Sequence, residues 1–103
     1  MLLVRSISGA PIRLTEERWG HIRLRHPEMN SQRDRVLETI QSPDYIQEGD
    51  LGELLAVRYF PKTPLTDKYL VVAYREISNE DGFVMTAYFT SRPSAKRSIV
   101  WKP

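Results

Sequence analysis

The stretch KYLVVAYREISNEDGFVMTAYFTS, Lys68 to Ser91, decides the fold. Its two halves, Lys68 to Ile77 and Phe83 to Ser91, are rich in aromatic and β-branched residues at period two, the signature of strands. Between them, Asn79-Glu-Asp-Gly82 reads as a hairpin turn, with glycine where a positive φ is usually needed. Successive strand side chains point to opposite faces. Phe83, Met85, Ala87 and Phe89 therefore form an expected core face. Val84, Thr86, Tyr88 and Thr90 share the other, with three hydroxyls in a row. In the first half, Leu70, Val72 and Tyr74 oppose Tyr69, Val71, Ala73 and Arg75, apolar on both sides as befits a central strand.

Working outward, Glu53 to Phe60 is a further strand, with Arg58 on the side of Leu54, Ala56 and Phe60. Tyr45 to Glu48 and Ser98 to Trp101 are short strand candidates. Leu2 to Ile7 and Ile12 to Leu14 are extended pieces around a Gly9-Ala-Pro11 turn. Thr15 followed by Glu16 and Glu17 starts a helix: the hydroxyl caps, and the carboxylates suit the positive end of the dipole. Trp19 and Ile22 define its buried face. Pro27 disfavours helical geometry at His26 and ends it there. A second helix is expected from Asn30 or Ser31 to Gln41, with Val36, Leu37 and Ile40 as its stripe. Helices followed by strands make an α+β chain, and the expected architecture is two N-terminal helices followed by a four-stranded antiparallel sheet. The expected core is Trp19, Ile22, Val36, Leu37, Ile40, Leu70, Val72, Phe83, Met85, Ala87 and Phe89.

A chain of 103 residues makes one domain with one modest core. The formal charge of +2 is too small to imply nucleic acid by itself. Its distribution is more informative. Arg92, Lys96, Arg97 and Lys102 face no acidic residue from Arg92 onward, and every basic residue before Pro43 is arginine. Arginine suits planar phosphate or carboxylate recognition, although genome composition gives the same bias. The absence of cysteine excludes disulfides and thiol chemistry and fits a reducing cytoplasm. No segment approaches the roughly 18 apolar residues of a membrane span, and the start lacks the apolar run of a signal peptide.

The first helix ends in WGHIRLRHPE, Trp19 to Glu28, with two histidines and two arginines. Five residues apart, His21 and His26 lie roughly 140° apart around the helix axis, so they are not a zinc-binding pair. No compact carboxylate cluster supplies other ligands. His26 sits at the helix C-terminus, where unpaired carbonyls attract a protonated imidazole. A histidine titrating near neutrality suits general acid–base work, while a plain C-terminal cap is the simpler role.

The ordered set LTEERWGHIRLRHPE, VLETIQSPDYI, KYLVVAY and DGFVMTAYFTS with a closing IVWK, from about Ile12 to Lys102, resembles the small phage and bacterial domains grouped as Barnase–EndoU–Colicin–RelE-like nucleases. The resemblance implies two helices followed by a four-stranded antiparallel sheet. It also implies metal-independent RNA cleavage without a cofactor, in toxin or phage-conflict settings. The partners would be RNA and a cognate antitoxin or immunity protein. Carried over by position, the site residues are His26, Lys68, Thr86, Tyr88 and Thr90.

Such cleavage uses the ribose 2′-hydroxyl as internal nucleophile. It needs a base for that proton, an acid for the leaving 5′-oxygen and a cation for the phosphorane charge. His26 serves as acid or base, and Arg25, Arg58 or Lys68 as the cation. Tyr88 donates a hydrogen bond or stacks on a base. Arg92, Lys96, Arg97 and Lys102 hold flanking phosphates. Glu28 and Glu76 are weaker candidates for the second acid–base group. Two other functions fit the same residues: a non-catalytic RNA- or ribosome-binding module, and a protein-interaction domain that pairs through a strand edge.

Overall fold

The computed structural model describes residues 1–63 and 68–103. The order of elements is β1 (Leu2–Arg5), β2 (Pro11–Leu14), α1 (Glu16–Arg25), a 3₁₀ turn (Pro27–Met29), α2 (Arg33–Gln41), β3 (Tyr45–Glu48), β4 (Leu54–Tyr59), β5 (Tyr69–Ser78), β6 (Asp81–Thr90) and β7 (Ile99–Trp101). The α+β class holds, but the expected four-stranded antiparallel sheet does not. The sheet has seven strands in the order β1-β2-β6-β5-β4-β3-β7, and β2 lies parallel to β6. Two additions explain the difference. The β1–β2 hairpin docks on β6 through the Arg13–Phe83 register. Arg13 secures it with two 3.0 Å hydrogen bonds to Asp81 and a guanidinium over the Phe83 ring. At the other margin, β7 pairs with β3. Both pairings join distant segments, and no local pattern encodes them.

The helices follow their start and stop signals. The Thr15 hydroxyl accepts the Arg18 N–H at 3.1 Å, and Glu16 and Glu17 occupy the first turn. Beyond His26, Pro27 opens the 3₁₀ turn, which seats Met29 fully in the core. Helix α2 starts later than expected, at Arg33, because Ser31 takes a left-handed φ of 67°. Both helices pack on one face of the sheet, over Ala56, Leu70, Val72, Tyr74, Val84, Ala87 and Phe89. Ile12, Leu14, Trp19, Ile22, Val36 and Ile40 complete that core.

The alternation of β6 breaks once. Ala73 pairs with Thr86, whereas Tyr74 pairs with Val84, so Met85 is an extra residue in a β-bulge. The bulge inverts side-chain parity upstream of it. Ala87 and Phe89 face the helices as expected, but Val84 replaces Phe83 and Met85 in the core. Met85 packs on the second face instead, and Phe83 is only half-buried. Leu37, also expected in the core, is partly buried at its margin.

Gly82 has a different role from the one its turn position indicates. Its φ is not positive, and the turn is made by Asn79 and Glu80. A Cβ on Gly82 would stand 2.5 Å from Ile12 Cδ1 and 2.6 Å from the Arg75 carbonyl oxygen. The residue is glycine so that β2 and β6 can approach. Gly82→Ala should therefore cost about 1–3 kcal/mol in urea unfolding; no loss would mean that the hairpin is not tightly docked.

Tyr74 is almost wholly enclosed, and burial, with Glu76 adding in the same direction, drives its phenol well above the usual tyrosine range. A phenol held neutral by burial disfavours the folded state once the unfolded chain's tyrosine can ionise. Stability is thus unaffected below about pH 10 and falls as pH rises beyond it. Tyr74→Phe should delay alkaline unfolding, as followed by circular dichroism, and an unchanged alkaline midpoint would contradict this.

The second face of the sheet carries a smaller cluster, Leu55, Val57, Val71 and Ala73, edged by Tyr45, Tyr69, Met85 and Tyr88. Residues 91–98 leave β6 and return to pair beside β3, so this arm must cross the sheet. The buried Gln47, which shares its face with Tyr45, donates to the Ser94 carbonyl at 2.7 Å and pins the arm over the second face. Among the described residues, no helix is long and apolar enough to cross a membrane.

Candidate functional site

Three local features place His26. Its N–H closes the last turn of α1 on the Ile22 carbonyl at 2.8 Å, and its carbonyl accepts the Met29 N–H at 2.9 Å. Met29 is anchored in the core, so both sides of the histidine backbone are fixed. Helix α1 and the 3₁₀ turn both lie against β6. The result sets the His26 imidazole beside the Tyr88 ring, with centroids 5.9 Å apart and planes inclined by 34°.

Glu28 joins them from the 3₁₀ turn. Its Oε2 lies 3.6 Å from His26 Nδ1, beyond hydrogen-bond range but within that of an ion pair once the ring is protonated. The imidazole and carboxylate side chains are 32% and 24% exposed, so the pair is accessible from solvent without being free to swing. The hydroxyl row Thr86, Tyr88, Thr90 lies on the second face, as the sequence indicates. The Thr86 hydroxyl has no hydrogen-bond partner among the described residues. The Thr90 hydroxyl accepts the Arg92 N–H at 3.2 Å and closes the turn into the arm.

The cations separate into two groups. Arg97, half-buried in the arm, is bound to Asp50 at 2.8 Å. That hydrogen bond raises the guanidinium's pKa and lowers the Asp50 carboxyl's, and Tyr88 and Glu53 act on Arg97 in the same direction. Arg97 belongs to the arm that Gln47 pins over the second face, the face that also carries Tyr88. Arg25 is exposed at the end of α1, next to His26, and Arg92 and Lys96 are exposed on the arm. Lys68 precedes β5, whose first residue pairs with Thr90; its ammonium donates to the Pro61 carbonyl at 2.9 Å.

Arg58 lies elsewhere. It projects toward the helices, bound to Glu38 at 3.0 Å, hydrogen-bonded to the Ser42 carbonyl and packed against Phe60. Glu76 also lies apart, accepting the Ser6 and Ser8 hydroxyls under the β1–β2 loop. Of the two carboxylates weighed from sequence, Glu28 is the one near the imidazole. Proximity on the chain, two residues past His26, was the available signal.

Sequence patterning singled out none of the other tyrosines on this face. Tyr59 and Tyr69 face each other across β4 and β5, with ring centroids 5.2 Å apart at 60°. Their signal was the alternation that groups Tyr59 with Leu55 and Val57. Among the described residues, no three His, Asp or Glu side chains are grouped to hold a metal ion.

The arrangement offers an imidazole with a carboxylate behind it, a phenol across from it, an unengaged threonine hydroxyl on the same strand and a guanidinium beyond. These are the groups for proton transfer at a phosphate or other anionic centre. No family model, curated protein or solved structure matches the chain.

Proposed function

We propose that the protein is a metal-independent endoribonuclease whose centre is His26 and Tyr88. The observation that carries this reading is the 5.9 Å juxtaposition of the two rings, with Glu28 3.6 Å behind the imidazole. His26 accepts the 2′-hydroxyl proton, and the freed 2′-oxygen attacks phosphorus. The P–O5′ bond breaks, and the 5′-oxygen leaves with a proton delivered through the Tyr88 phenol, which regains one from solvent. The products are a 2′,3′-cyclic phosphate and a 5′-hydroxyl. Glu28 favours the imidazolium that forms, and Arg97 faces the developing phosphorane charge. Arg25, Arg92 and Lys96 contact flanking phosphates, which makes affinity fall with salt. The setting implied by the resemblance comes with the proposal: a cytoplasmic toxin or phage-conflict component, restrained by an antitoxin or immunity protein. Incubating RNA with the protein in EDTA, and comparing His26→Ala, tests the reading.

A non-catalytic RNA-binding module on the same face is the second reading. One observation favours it. Arg58 is engaged on the helix side, the Lys68 ammonium donates to the Pro61 carbonyl, and Arg97 is ion-paired with Asp50. Salt-sensitive retention of intact RNA by the wild-type protein would select it.

A further inference from the structure

Tyr59 is 44% exposed on a sheet face whose other tyrosines are half-buried. An exposed strand tyrosine is common by itself, but this one is held in place. Its backbone N–H donates to Asp44 Oδ2 at 2.7 Å, and Tyr69 braces its ring edge-to-face at 5.2 Å. Register places Tyr59 opposite Tyr69, and Tyr69 opposite Thr90. Thr90 is two residues beyond Tyr88 on the same face, so Tyr59 stands two strand spacings from β6, about 10 Å. Lys68 lies beside the chain just past Tyr59, its carbonyl accepting the Phe60 N–H at 2.8 Å and its ammonium donating to the Pro61 carbonyl at 2.9 Å, so a positive charge stands near the end of β4 that carries Tyr59. Asp44 is the acidic group beside it, and its carboxylate is occupied by the Tyr59 amide.

We propose that Tyr59, braced by Tyr69, is a stacking site for an unpaired base of single-stranded RNA, beyond the two nucleosides that flank the phosphodiester held at His26 and Tyr88. The inference rests on the reading of that centre as an RNA site, and it adds a substrate class: unpaired strands, since a base inside a duplex has no free face to offer. Aromatic stacking tolerates any base, so the subsite selects strandedness rather than sequence.

The test measures binding of a labelled oligo(dT) of about 12 nucleotides by anisotropy in EDTA. DNA lacks the 2′-hydroxyl, so this arm does not depend on cleavage. Tyr59→Ala should weaken binding by roughly 10-fold or more, and Tyr59→Phe should retain it. A duplex of the same length should bind wild type and Tyr59→Ala alike. If the alanine variant melts early, Tyr59→Leu, which keeps bulk without a π-face, takes its place. Equal oligo(dT) affinity in wild type and variant, or equal losses for single strand and duplex, would overturn the subsite. Cleavage of a dinucleoside monophosphate, too short to reach Tyr59, separates the two ideas. Its loss in His26→Ala but not in Tyr59→Ala supports both. If no RNA is cut while Tyr59-dependent oligo(dT) binding persists, the nuclease reading falls and the subsite stands.

Discussion

Replacing His26 with alanine should lower RNA cleavage in EDTA by about 10²–10⁴-fold, the usual worth of a general acid–base group. The side chain is 32% exposed, and its polar contact is the Glu28 carboxylate at 3.6 Å, so the fold should survive its removal. The melting temperature should stay within about 3 °C of wild type. Tyr88→Phe removes the phenolic proton while keeping the ring that His26 packs against, and should give a smaller loss. The same RNA, incubated with each variant and resolved by gel, reads all three. Growth offers a second measurement: overexpressed wild type should harm the host, and His26→Ala should not. Undiminished cleavage by His26→Ala, with normal melting, would move the centre elsewhere on the molecule.

Phe89→Ala should cost about 3–5 kcal/mol. Phe89 lies 6% exposed in the helix-side cluster, between Tyr88 and Thr90 on the chain. Removing its ring leaves a cavity under the strand that carries the hydroxyl row. In urea unfolding the midpoint should fall without a large change in slope, and in thermal melts by about 15 °C or more. An unchanged midpoint would mean that the faces of β6 are assigned backwards. Placed one residue away, Tyr88→Phe provides the control, because it changes the opposite face and leaves the core volume intact.

What the sequence disclosed follows from the range over which its signals act. The hydroxyl of Thr15, the ring of Pro27 and the alternation of β4 and β5 are effects of near neighbours, and each element they mark is present. The hydroxyl row was legible because Thr86, Tyr88 and Thr90 all lie on one side of the bulge. Phe83 was misplaced because parity carries through only where no residue is inserted, and nothing in VMTA announces that Met85 is supernumerary. Gly82 has two plausible uses in a sequence, turn flexibility and close approach, and only the position of Ile12 from a distant strand distinguishes them. The sheet grew from four strands to seven for the same reason: Arg13 finds Asp81 across 68 residues. In the candidate site, the helix ending at His26 was local knowledge. That its ring meets Tyr88 is a matter of tertiary docking, as is the diversion of Arg58 to Glu38.

The arm over the second face works like a drawstring through a hem. It begins at Thr90, the end of the strand that bears Tyr88, ties Arg97 to Asp50, and ends by sewing β7 onto the far margin of the sheet. Arg97, the cation of the proposed centre, and the outermost strand are thus stitched into one short thread. Whatever unpicks the margin also displaces Arg97, so under the nuclease proposal the integrity of the sheet's border and the competence of the site become one quantity.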